Sequence, residues 1–511
     1  MPPARFNMAR YCLAGPAAST PDHPALIVYH QTGTDTPAER WSYAQIEDAV
    51  LRIAEGLRRR GLEPGDRLLI RLDNTSLYPL TFFGALAAGI VPLATSSQLT
   101  QQEVAFLLQD SGAAAVAVDQ QLPLEHVPAG VSILTAEHLD DMRVNCDRAN
   151  WADTLADEPA YLIYTSGTTS KPKGVLHAHR AAWGRRPMYQ GWYGITRHDR
   201  MLHAGAFNWT YTLGTGLTDP WANGATAIIY TGDKKPELWP VLIEQTQATL
   251  FAAVPGLFRQ ILKYAPDEPG RFRSLRHALT AGEKPPPDLF SSWSERTGTE
   301  LYEALGMSEI STYVSTAPDI PRKPGAIGKP QPGRCVAILP IDGGDQPLPA
   351  DEEGLIAIHR SDPGLMLGYW NRPEEEAQVF RGDWFIGGDL GRLDEHGYLS
   401  HLGRADDIMK ALGYRVAPQE VEAALADHPE ISEVACTEVQ VREDLTVIGA
   451  FIVPRDWDAP PAGQSILDYA EDRLAAYKRP RQVYFLKALP RTANGKVMRA
   501  ALADATRDDA T

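Results

Sequence analysis

Cysteine is scarce in this sequence, with four residues in a chain of 511. Cys12, Cys146, Cys335 and Cys436 lie far apart and form no C-x-x-C pair, so the sequence offers no disulfide framework and no cysteine zinc site. This cysteine usage is typical of proteins in a reducing compartment, and we therefore expect a cytoplasmic location.

Long apolar runs and an excess of basic charge are also missing. No segment approaches the roughly 20 apolar residues of a membrane span, so we expect no membrane insertion. Residues 1–15 contain two arginines but no sustained apolar core, so we expect no signal peptide. The 49 Lys and Arg residues are outnumbered by 65 Asp and Glu residues, a formal net charge of −16, which argues against nonspecific nucleic-acid binding.

The length of the chain and the alternation of its apolar patterns indicate the fold class. A chain of this length is too long for one compact core, so we expect at least two domains. Apolar spacing predicts a helix at 43–59, a strand at 67–71, a helix at 80–88 and a strand at 113–118. This alternation favours a layered α/β architecture with a mostly parallel sheet.

The C-terminal part of the sequence has a different pattern. A predicted helix at 418–426 is followed by strands at 434–441 and 445–453 and by a helix near 466–475. These elements predict a small α+β unit.

The most informative stretch is 161–176, which has the sequence YLIYTSGTTSKPKGVL. Its first four residues predict a short buried strand. Six small residues follow, which can bring backbone N–H groups and hydroxyls close to an anion, and Lys171 and Lys173 add positive charge. These features predict a loop that wraps a polyphosphate, with an exposed polar turn as the alternative. It is not a Walker loop, because Gly174 is followed by Val and Leu instead of Lys and Ser or Thr.

Four further short motifs contain candidate functional residues. They are YEALGMSE at 302–309, GGDLG at 387–391, GRADDIMK at 403–410 and PRTANGK at 490–496. Each motif is ambiguous by itself, since an Asp between glycines or a Lys after Asn-Gly is common in exposed turns.

Two other groups of side chains have simpler interpretations. The pair His177 and His179 has no further Cys or His cluster to complete a metal site, so packing or hydrogen bonding is the expected role. The aromatic residues Phe207, Trp209 and Tyr211 are typical of a core or an interface.

Taken in order, the loop at 161–176 and the four motifs resemble those of acyl-CoA synthetases of the adenylate-forming superfamily. The resemblance covers about 41–499. It implies an α/β protein with a large layered α/β N-terminal domain at 1–403, a hinge at 404–408 and a small mobile α+β C-terminal domain at 409–511. It also implies an ATP-dependent carboxylic acid:CoA ligase, which forms an acyl-adenylate and pyrophosphate, then an acyl-CoA thioester and AMP.

The resemblance assigns roles to individual residues. Lys496 and Glu309 would be catalytic, and Glu309 would hold Mg²⁺, a hard cation that prefers carboxylate and phosphate oxygens. Asp389 would accept hydrogen bonds from both ribose hydroxyls. The residues expected to bind ATP or AMP are Thr165, Ser166, Gly167, Thr168, Thr169, Lys173, Gly282, Glu283, Glu303, Ala304, Ser308, Asp389, Arg404 and Lys496.

The remaining roles concern the acid, CoA and the hinge. The acyl pocket would include Trp209, Leu305 and Gly306. Leu305 stands where many family members have tyrosine, and Ser308 replaces the usual threonine but keeps the hydroxyl. Leu412 and Gly413 would contact CoA, and Asp406 would be the hinge residue.

The segments 202–217 and 305–308 look closest to benzoate-type and other aryl-acid ligases, with medium-chain ligases next. The expected cofactors are ATP, Mg²⁺ and coenzyme A as a co-substrate, and the expected partner is a small carboxylic acid. A homodimer is left open. Two alternatives are an enzyme that loads an acyl group onto a carrier protein and a nucleotide-binding protein without turnover. The joint presence of Glu309, Asp389, Arg404 and Lys496 disfavours the second.

Overall fold

The computed structural model describes residues 1–502 other than 35, 123, 125, 166–171, 287, 406–408, 412–413, 417, 443–444, 475, 477, 492–496 and 500. The chain forms two compact units. The first comprises Met1–Cys335 and Ile358–Asp383, and the second comprises Val336–Ala357 and Trp384–Thr511. Strands within 336–357 and 384–404 thus belong with the C-terminal part, whereas the sequence places the end of the large domain at 403. The hinge at 404–408 stays a prediction, and Asp406 lies outside the described residues.

The described elements follow in chain order. The helices are α1 (Met8–Ser19), α2 (Tyr43–Arg59), α3 (Leu77–Ala88), α4 (Gln101–Ser111), α5 (Ala136–Asn145), α6 (Ala181–Gly184), α7 (Arg186–Met188), α8 (Thr210–Leu213), α9 (Asp219–Ala222), α10 (Leu238–Thr246), α11 (Pro255–Tyr264), α12 (Asp288–Thr297), α13 (Pro373–Gln378), α14 (Pro418–Ala426) and α15 (Gly463–Glu471). Short π-helical segments cover Tyr189–Tyr193 and Gly214–Thr218, and a 3₁₀ turn covers Pro269–Phe272.

The strands are β1 (Pro24–Tyr29), β2 (Glu39–Ser42), β3 (Arg67–Arg71), β4 (Val91–Ala94), β5 (Ala115–Val118), β6 (Ser132–Thr135), β7 (Pro159–Thr165), β8 (Lys173–Ala178), β9 (Arg200–His203), β10 (Thr226–Tyr230), β11 (Leu250–Ala253), β12 (His277–Ala281), β13 (Glu300–Met307), β14 (Ser311–Ser315), β15 (Lys329–Pro330), β16 (Val336–Leu339), β17 (Glu353–His359), β18 (Gly368–Tyr369), β19 (Phe380–Arg381), β20 (Trp384–Leu393), β21 (Leu399–Arg404), β22 (Met409–Ala411), β23 (Tyr414–Val416), β24 (Ile431–Arg442), β25 (Leu445–Pro454) and β26 (Gln482–Phe485).

Two sheets form the framework of the first unit. The seven-stranded sheet has the order β18-β8-β7-β4-β3-β5-β6, parallel except for the β18–β8 and β8–β7 pairs. The nine-stranded sheet has the order β15-β14-β13-β12-β11-β9-β10-β1-β2 and is parallel from β13 to β1. The alternation predicted from sequence therefore produces the expected mostly parallel sheets, and the predicted α/β class is confirmed.

Helices α2 and α3 pack with strands of both sheets in the largest core cluster, which includes Leu26 and Val28 of β1 and Leu68 and Ile70 of β3. Helix α2 is amphipathic and begins with a capping box between Ser42 and Gln45. Helix α3 is buried on every side from its second residue onward. A helix that is apolar all round is expected where it lies inside a core.

Among its described residues, the second unit combines strands with the helices α14 and α15. Strands β16, β17 and β20 lie side by side, and β21 pairs with β20. Strands β24, β25 and β26 form a separate sheet, and α14 and α15 pack in one core cluster with residues of β24 and β25. The predicted small α+β unit is therefore present. Within the described residues, no helix is long and apolar enough to span a membrane.

Candidate active site

Strands β7 and β8 bring the two described ends of the glycine-containing loop together. Thr165 and Lys173 are paired in the antiparallel register, with 166–171 between them outside the described residues. The Lys173 ammonium lies 3.2 Å from Glu375 Oε2 and 4.4 Å from the centroid of the Tyr369 ring. Both contacts hold a positive charge at the base of the loop, where the sequence predicts phosphate binding.

Tyr369 connects this lysine to Glu309, the predicted metal ligand. Tyr369 lies on β18, beside Val175 of β8, and its hydroxyl donates to Glu309 Oε1 at 2.8 Å. The backbone of Glu309 is held as well, since its carbonyl accepts the N–H of Met366 at 2.8 Å. The structure therefore brings Lys173 and Glu309 to opposite ends of one tyrosine side chain.

The turn that carries Glu309 joins β13 and β14. Its preceding residue, Ser308, accepts a hydrogen bond at its carbonyl from His177 Nε2 at 2.8 Å. Gly306 lets the two strands approach, because a Cβ there would lie 2.6 Å from the Ser311 carbonyl oxygen. The glycine in the motif at 302–309 is thus required by the hairpin itself.

The ends of β12 and β13 place further predicted nucleotide residues side by side. Ala281 is paired with Ala304, so Gly282 follows β12 at the level of Leu305. Gly282 has a φ of 97°, a left-handed conformation that favours glycine. Glu283 comes next and is partly buried.

Glu303 is the ionisable group of β13 with the largest shift. Burial raises the pKa of its carboxyl to about 8, although the positive charges of Arg322 and Lys284 lower it. A carboxyl with this pKa is largely protonated at neutral pH and can donate a hydrogen bond. Its backbone N–H and carbonyl bond to Thr316 at 2.9 Å each, which fixes the strand around it.

The three aromatic residues near α8 differ in their surroundings. Phe207 is buried and stacks on Tyr78 with ring centroids 5.7 Å apart. Tyr211 stacks on Trp192 and donates to the Leu279 carbonyl at 3.2 Å. Trp209 is partly exposed and precedes the first turn of α8. The core interpretation thus fits Phe207 and Tyr211, whereas the acyl-pocket role of Trp209 stays a prediction.

A small cavity lies between α8, β8 and the β13–β14 turn. Its walls are apolar at Tyr161 and Leu213 and polar at His177, Ser308 and Arg185. Burial lowers the pKa of His177 to about 4, so the imidazole is neutral at pH 7. Its Nε2–H donates to the Ser308 carbonyl, and Nδ1 is therefore an acceptor, with no hydrogen-bond partner among the described residues.

The charge of Arg185 is already balanced at this cavity. Its Nε and Nη2 donate to the two carboxylate oxygens of Asp219 at 2.7 Å each, and Nη1 donates to Ser311 Oγ. Arg185 and Asp219 are both buried. Among these residues the cavity therefore has no uncompensated charge.

The second unit holds the predicted ribose carboxylate. Asp389 on β20 is paired with Arg404 on β21, and Arg404 Nη1 lies 3.7 Å from Asp389 Oδ2. Arg404 Nη1 also donates to the Gly387 carbonyl at 2.5 Å. His401 Nε2 lies 3.1 Å from Asp389 Oδ1. The structure therefore brings Asp389 and Arg404 together, as the predicted shared role in nucleotide binding requires.

Several predicted residues lie outside the described part of the chain. They are Ser166, Gly167, Thr168, Thr169, Asp406, Leu412, Gly413 and Lys496. The sequence motifs do not include Tyr369, Glu375, His401 or Arg185.

A magnesium ion suits the donor set around Glu309. Among the described residues, no group of three or more His, Cys, Asp or Glu side chains could hold a metal ion. Mg²⁺ commonly binds through one or two carboxylates together with substrate phosphates and water. A single carboxylate near the predicted phosphate loop therefore fits Mg²⁺ better than a metal that needs a full cage of protein ligands.

Comparison with known proteins gives matches along nearly the whole chain. The family model described as AMP-binding enzyme matches residues 13–370, and the model of the AMP-binding enzyme C-terminal domain matches 420–496. The chain is 32% identical over 477 residues to the 3-hydroxybenzoate–CoA ligase of Aromatoleum sp. (strain CIB), with 90% of each chain covered. It is 30% identical over 489 residues to the mitochondrial acyl-coenzyme A synthetase ACSM3 of Mus musculus, covering 90% of this chain and 83% of the other.

A solved structure shows the same fold. The benzoate CoA ligase of Burkholderia xenovorans LB400 superposes with a TM-score of 0.84 at 27% sequence identity, covering 98% of this chain and 100% of that one. The family resemblance carried by the sequence motifs is confirmed.

Proposed function

Because this chain belongs to the AMP-binding enzymes and is an acid–thiol ligase, we propose that it activates an aromatic carboxylic acid with ATP and Mg²⁺ and transfers the acyl group to coenzyme A. In the first step, a carboxylate oxygen attacks the α-phosphorus of ATP, and the bond to pyrophosphate breaks. In the second step, the thiol of CoA loses its proton, the sulfur attacks the acyl carbon, and AMP leaves.

The observation that carries this proposal is the connection from Lys173 through Tyr369 to Glu309. The in-line displacement at phosphorus spreads negative charge over oxygens, so its catalysis depends on positioned charges and donors. Lys173 lies at the base of the predicted phosphate loop, and its ammonium, which contacts Glu375 and the Tyr369 ring, would turn to phosphate when ATP binds. Glu309, held by the Tyr369 hydroxyl, would hold Mg²⁺, which when bound neutralises phosphate charge.

The nucleotide would be held from several sides. Asp389 would accept hydrogen bonds from the ribose hydroxyls, and Arg404 would contact ribose or phosphate. The backbone of Gly282 to Glu283 and of Glu303 to Ala304 would border the adenine. Ser308 would offer its hydroxyl beside Glu309.

The two steps use different parts of the C-terminal segment. Lys496 would bridge the acid carboxylate and the α-phosphate in the first step, and the segment of Leu412 and Gly413 would admit the pantetheine arm of CoA in the second. Rotation about Asp406 would replace Lys496 at the active site with the segment of Leu412 and Gly413, as domain closures commonly do.

An aromatic acid is favoured by the similarity to ligases named for benzoate and 3-hydroxybenzoate. The cavity beside α8 has room for about one water molecule, so it does not itself select the acid. A second carboxylate is disfavoured beside it, because the Arg185 charge is already paired with Asp219. Trp209, Leu305 and Gly306 would border the acid.

A medium-chain acid is the second candidate, supported by the similarity to the ACSM3 synthetase. A screen of pyrophosphate release separates the two, using benzoate, 3- and 4-hydroxybenzoate, isophthalate, cyclohexanecarboxylate, hexanoate and octanoate. We expect the highest kcat/KM for a benzoate or hydroxybenzoate and little release with isophthalate. A clear preference for hexanoate or octanoate would contradict the aromatic assignment. Replacing CoA with an acyl carrier protein in the second step distinguishes the carrier-loading alternative.

A further inference from the structure

The carboxylate of Asp389 has a hydrogen-bond partner at one oxygen and a positive charge near the other, both from the neighbouring strand. His401 Nε2 lies 3.1 Å from Oδ1, and Arg404 Nη1 lies 3.7 Å from Oδ2. An ionised carboxylate only accepts hydrogen bonds, so His401 Nε2 must carry the hydrogen and donate it. The exposed fractions of the two side chains, 13% for Asp389 and 21% for His401, leave limited access to water.

The pairing of β20 with β21 explains why the histidine reaches this carboxylate. His401 is the register partner of Gly391, two residues along β20 from Asp389, so the contact is a diagonal cross-strand pair. The ladder has an irregularity between Leu390 and Gly391, which shifts the register beside Asp389. The position of the imidazole is therefore set by the backbone of two paired strands.

The His401 hydrogen bond at one oxygen and the Arg404 charge near the other favour one orientation of a carboxylate that would otherwise turn about a broad, roughly two-fold torsion. An ionised carboxylate has about four acceptor positions, and His401 uses one of them. The remaining positions can accept from the two hydroxyls of a ribose. Holding the acceptors in place before the ligand arrives reduces the ordering cost of binding.

We propose that His401 is a positioning residue that sets the selectivity of the nucleotide site for ribose over deoxyribose. It holds the Asp389 carboxylate in the orientation that receives the 2′- and 3′-hydroxyls. This inference rests on the proposed function, because Asp389 is assigned to the ribose there.

The test measures equilibrium binding of AMP, 2′-deoxy-AMP and 3′-deoxy-AMP to the full-length protein by titration calorimetry. His401→Phe keeps a ring of similar size but removes the donor, and His401→Gln returns an N–H donor. His396→Phe is the matched control, since His396 lies in the turn between the same strands with 67% of its side chain exposed. Thermal unfolding of each variant reports whether the strands are intact.

We expect His401→Phe to weaken AMP binding about tenfold, the order expected when a hydrogen bond to a charged group is lost. Binding of the two deoxynucleotides should change little, so the preference for AMP collapses. His401→Gln should restore part of the preference, and His396→Phe should match the wild type. Equal weakening of all three ligands by His401→Phe would overturn the inference and leave His401 with a structural role only.

Asp389→Asn distinguishes a failure of the inference about His401 from a failure of the assignment of Asp389 to the ribose. If Asp389→Asn retains the preference for AMP, the ribose assignment is wrong, and the role of His401 is wrong with it. If Asp389→Asn loses the preference and His401→Phe keeps it, the ribose site stands and the inference about His401 is wrong. A lack of ligase activity towards every acid would refute the proposed function without altering these binding constants.

Discussion

Replacing Tyr369 with phenylalanine removes one hydrogen bond and leaves one contact in place. The hydroxyl that donates to Glu309 Oε1 at 2.8 Å is lost, while the ring beside the Lys173 ammonium, 4.4 Å from its centroid, is kept. Tyr369 is only 6% exposed. A hydrogen bond to a charged group contributes about 1.5–3 kcal/mol. Because Glu309 is partly exposed, the lower value of about 1.5 kcal/mol applies. It corresponds to about a tenfold change in the Mg²⁺ concentration that the enzyme requires.

The effect should appear in the Mg²⁺ dependence. In a pyrophosphate-release assay at saturating ATP and acid, we expect Tyr369→Phe to require about tenfold more Mg²⁺ for half-maximal rate. Tyr369→Leu should in addition weaken ATP binding, because it also removes the cation–π contact with Lys173. Calorimetric titration with ATP, with and without Mg²⁺, measures the same difference without turnover.

Tyr264→Phe is the matched control for this experiment. Tyr264 is 53% exposed and also has a lysine beside its ring, with Lys263 Nζ 5.0 Å from the centroid. Its Mg²⁺ titration should superpose on that of the wild type. If the titration of Tyr369→Phe superposes as well, the Tyr369 hydroxyl does not position Glu309 as a metal ligand, and this part of the interpretation is wrong.

Three further predictions concern residues of the first unit, Lys173, Glu303 and Gly306. Lys173→Ala should raise the KM for ATP about tenfold, because one positive charge near phosphate is lost. Steady-state kinetics in which the KM for the acid rises instead would contradict the assignment of Lys173 to phosphate binding. Folding raises the pKa of the Glu303 carboxyl from 4.5 to about 8, so the folded protein holds that proton more tightly than the unfolded chain. The free energy of unfolding therefore falls as the pH rises between these two pKa values. Urea unfolding at pH 5 and pH 8 measures this loss of stability. The loss should be smaller in Glu303→Gln than in the wild type, and an equal loss would refute the raised pKa of Glu303. Gly306→Ala should lower the unfolding free energy by about 1–3 kcal/mol, because its Cβ would lie 2.6 Å from the Ser311 carbonyl oxygen, and an unchanged Tm would show that the hairpin adapts.

Elements with a clear periodic pattern and a capping signal could be predicted from the sequence. The helix at 43–59 has its apolar residues on one face, and its bounds agree with α2. The helix predicted at 80–88 begins earlier, at Leu77. A helix buried on every side has no polar face, so periodicity cannot mark its start. The π-helical segment Gly214–Thr218 is also not predicted, because five residues without a periodic apolar pattern do not indicate a π-helix.

The motifs predict residues for the nucleotide site but not the contacts that hold those residues in place. Tyr369 meets Glu309 across 60 positions of sequence, and Arg185 meets Asp219 across 34. These contacts arise from strand pairing and helix packing, which no local pattern encodes. The same reason applies to His401, whose contact with Asp389 depends on the register of β20 and β21.

A quenched single-turnover experiment tests most directly whether this protein makes a thioester through an acyl-adenylate. The enzyme, in excess over radiolabelled 3-hydroxybenzoate, is mixed with ATP and Mg²⁺, and CoA is added after a delay. Before CoA is added, we expect the label to move to an acyl-adenylate with release of one pyrophosphate per acid, and after it, to an acyl-CoA with release of AMP. Formation of ADP and phosphate, or of thioester without a preceding adenylate, would contradict the account.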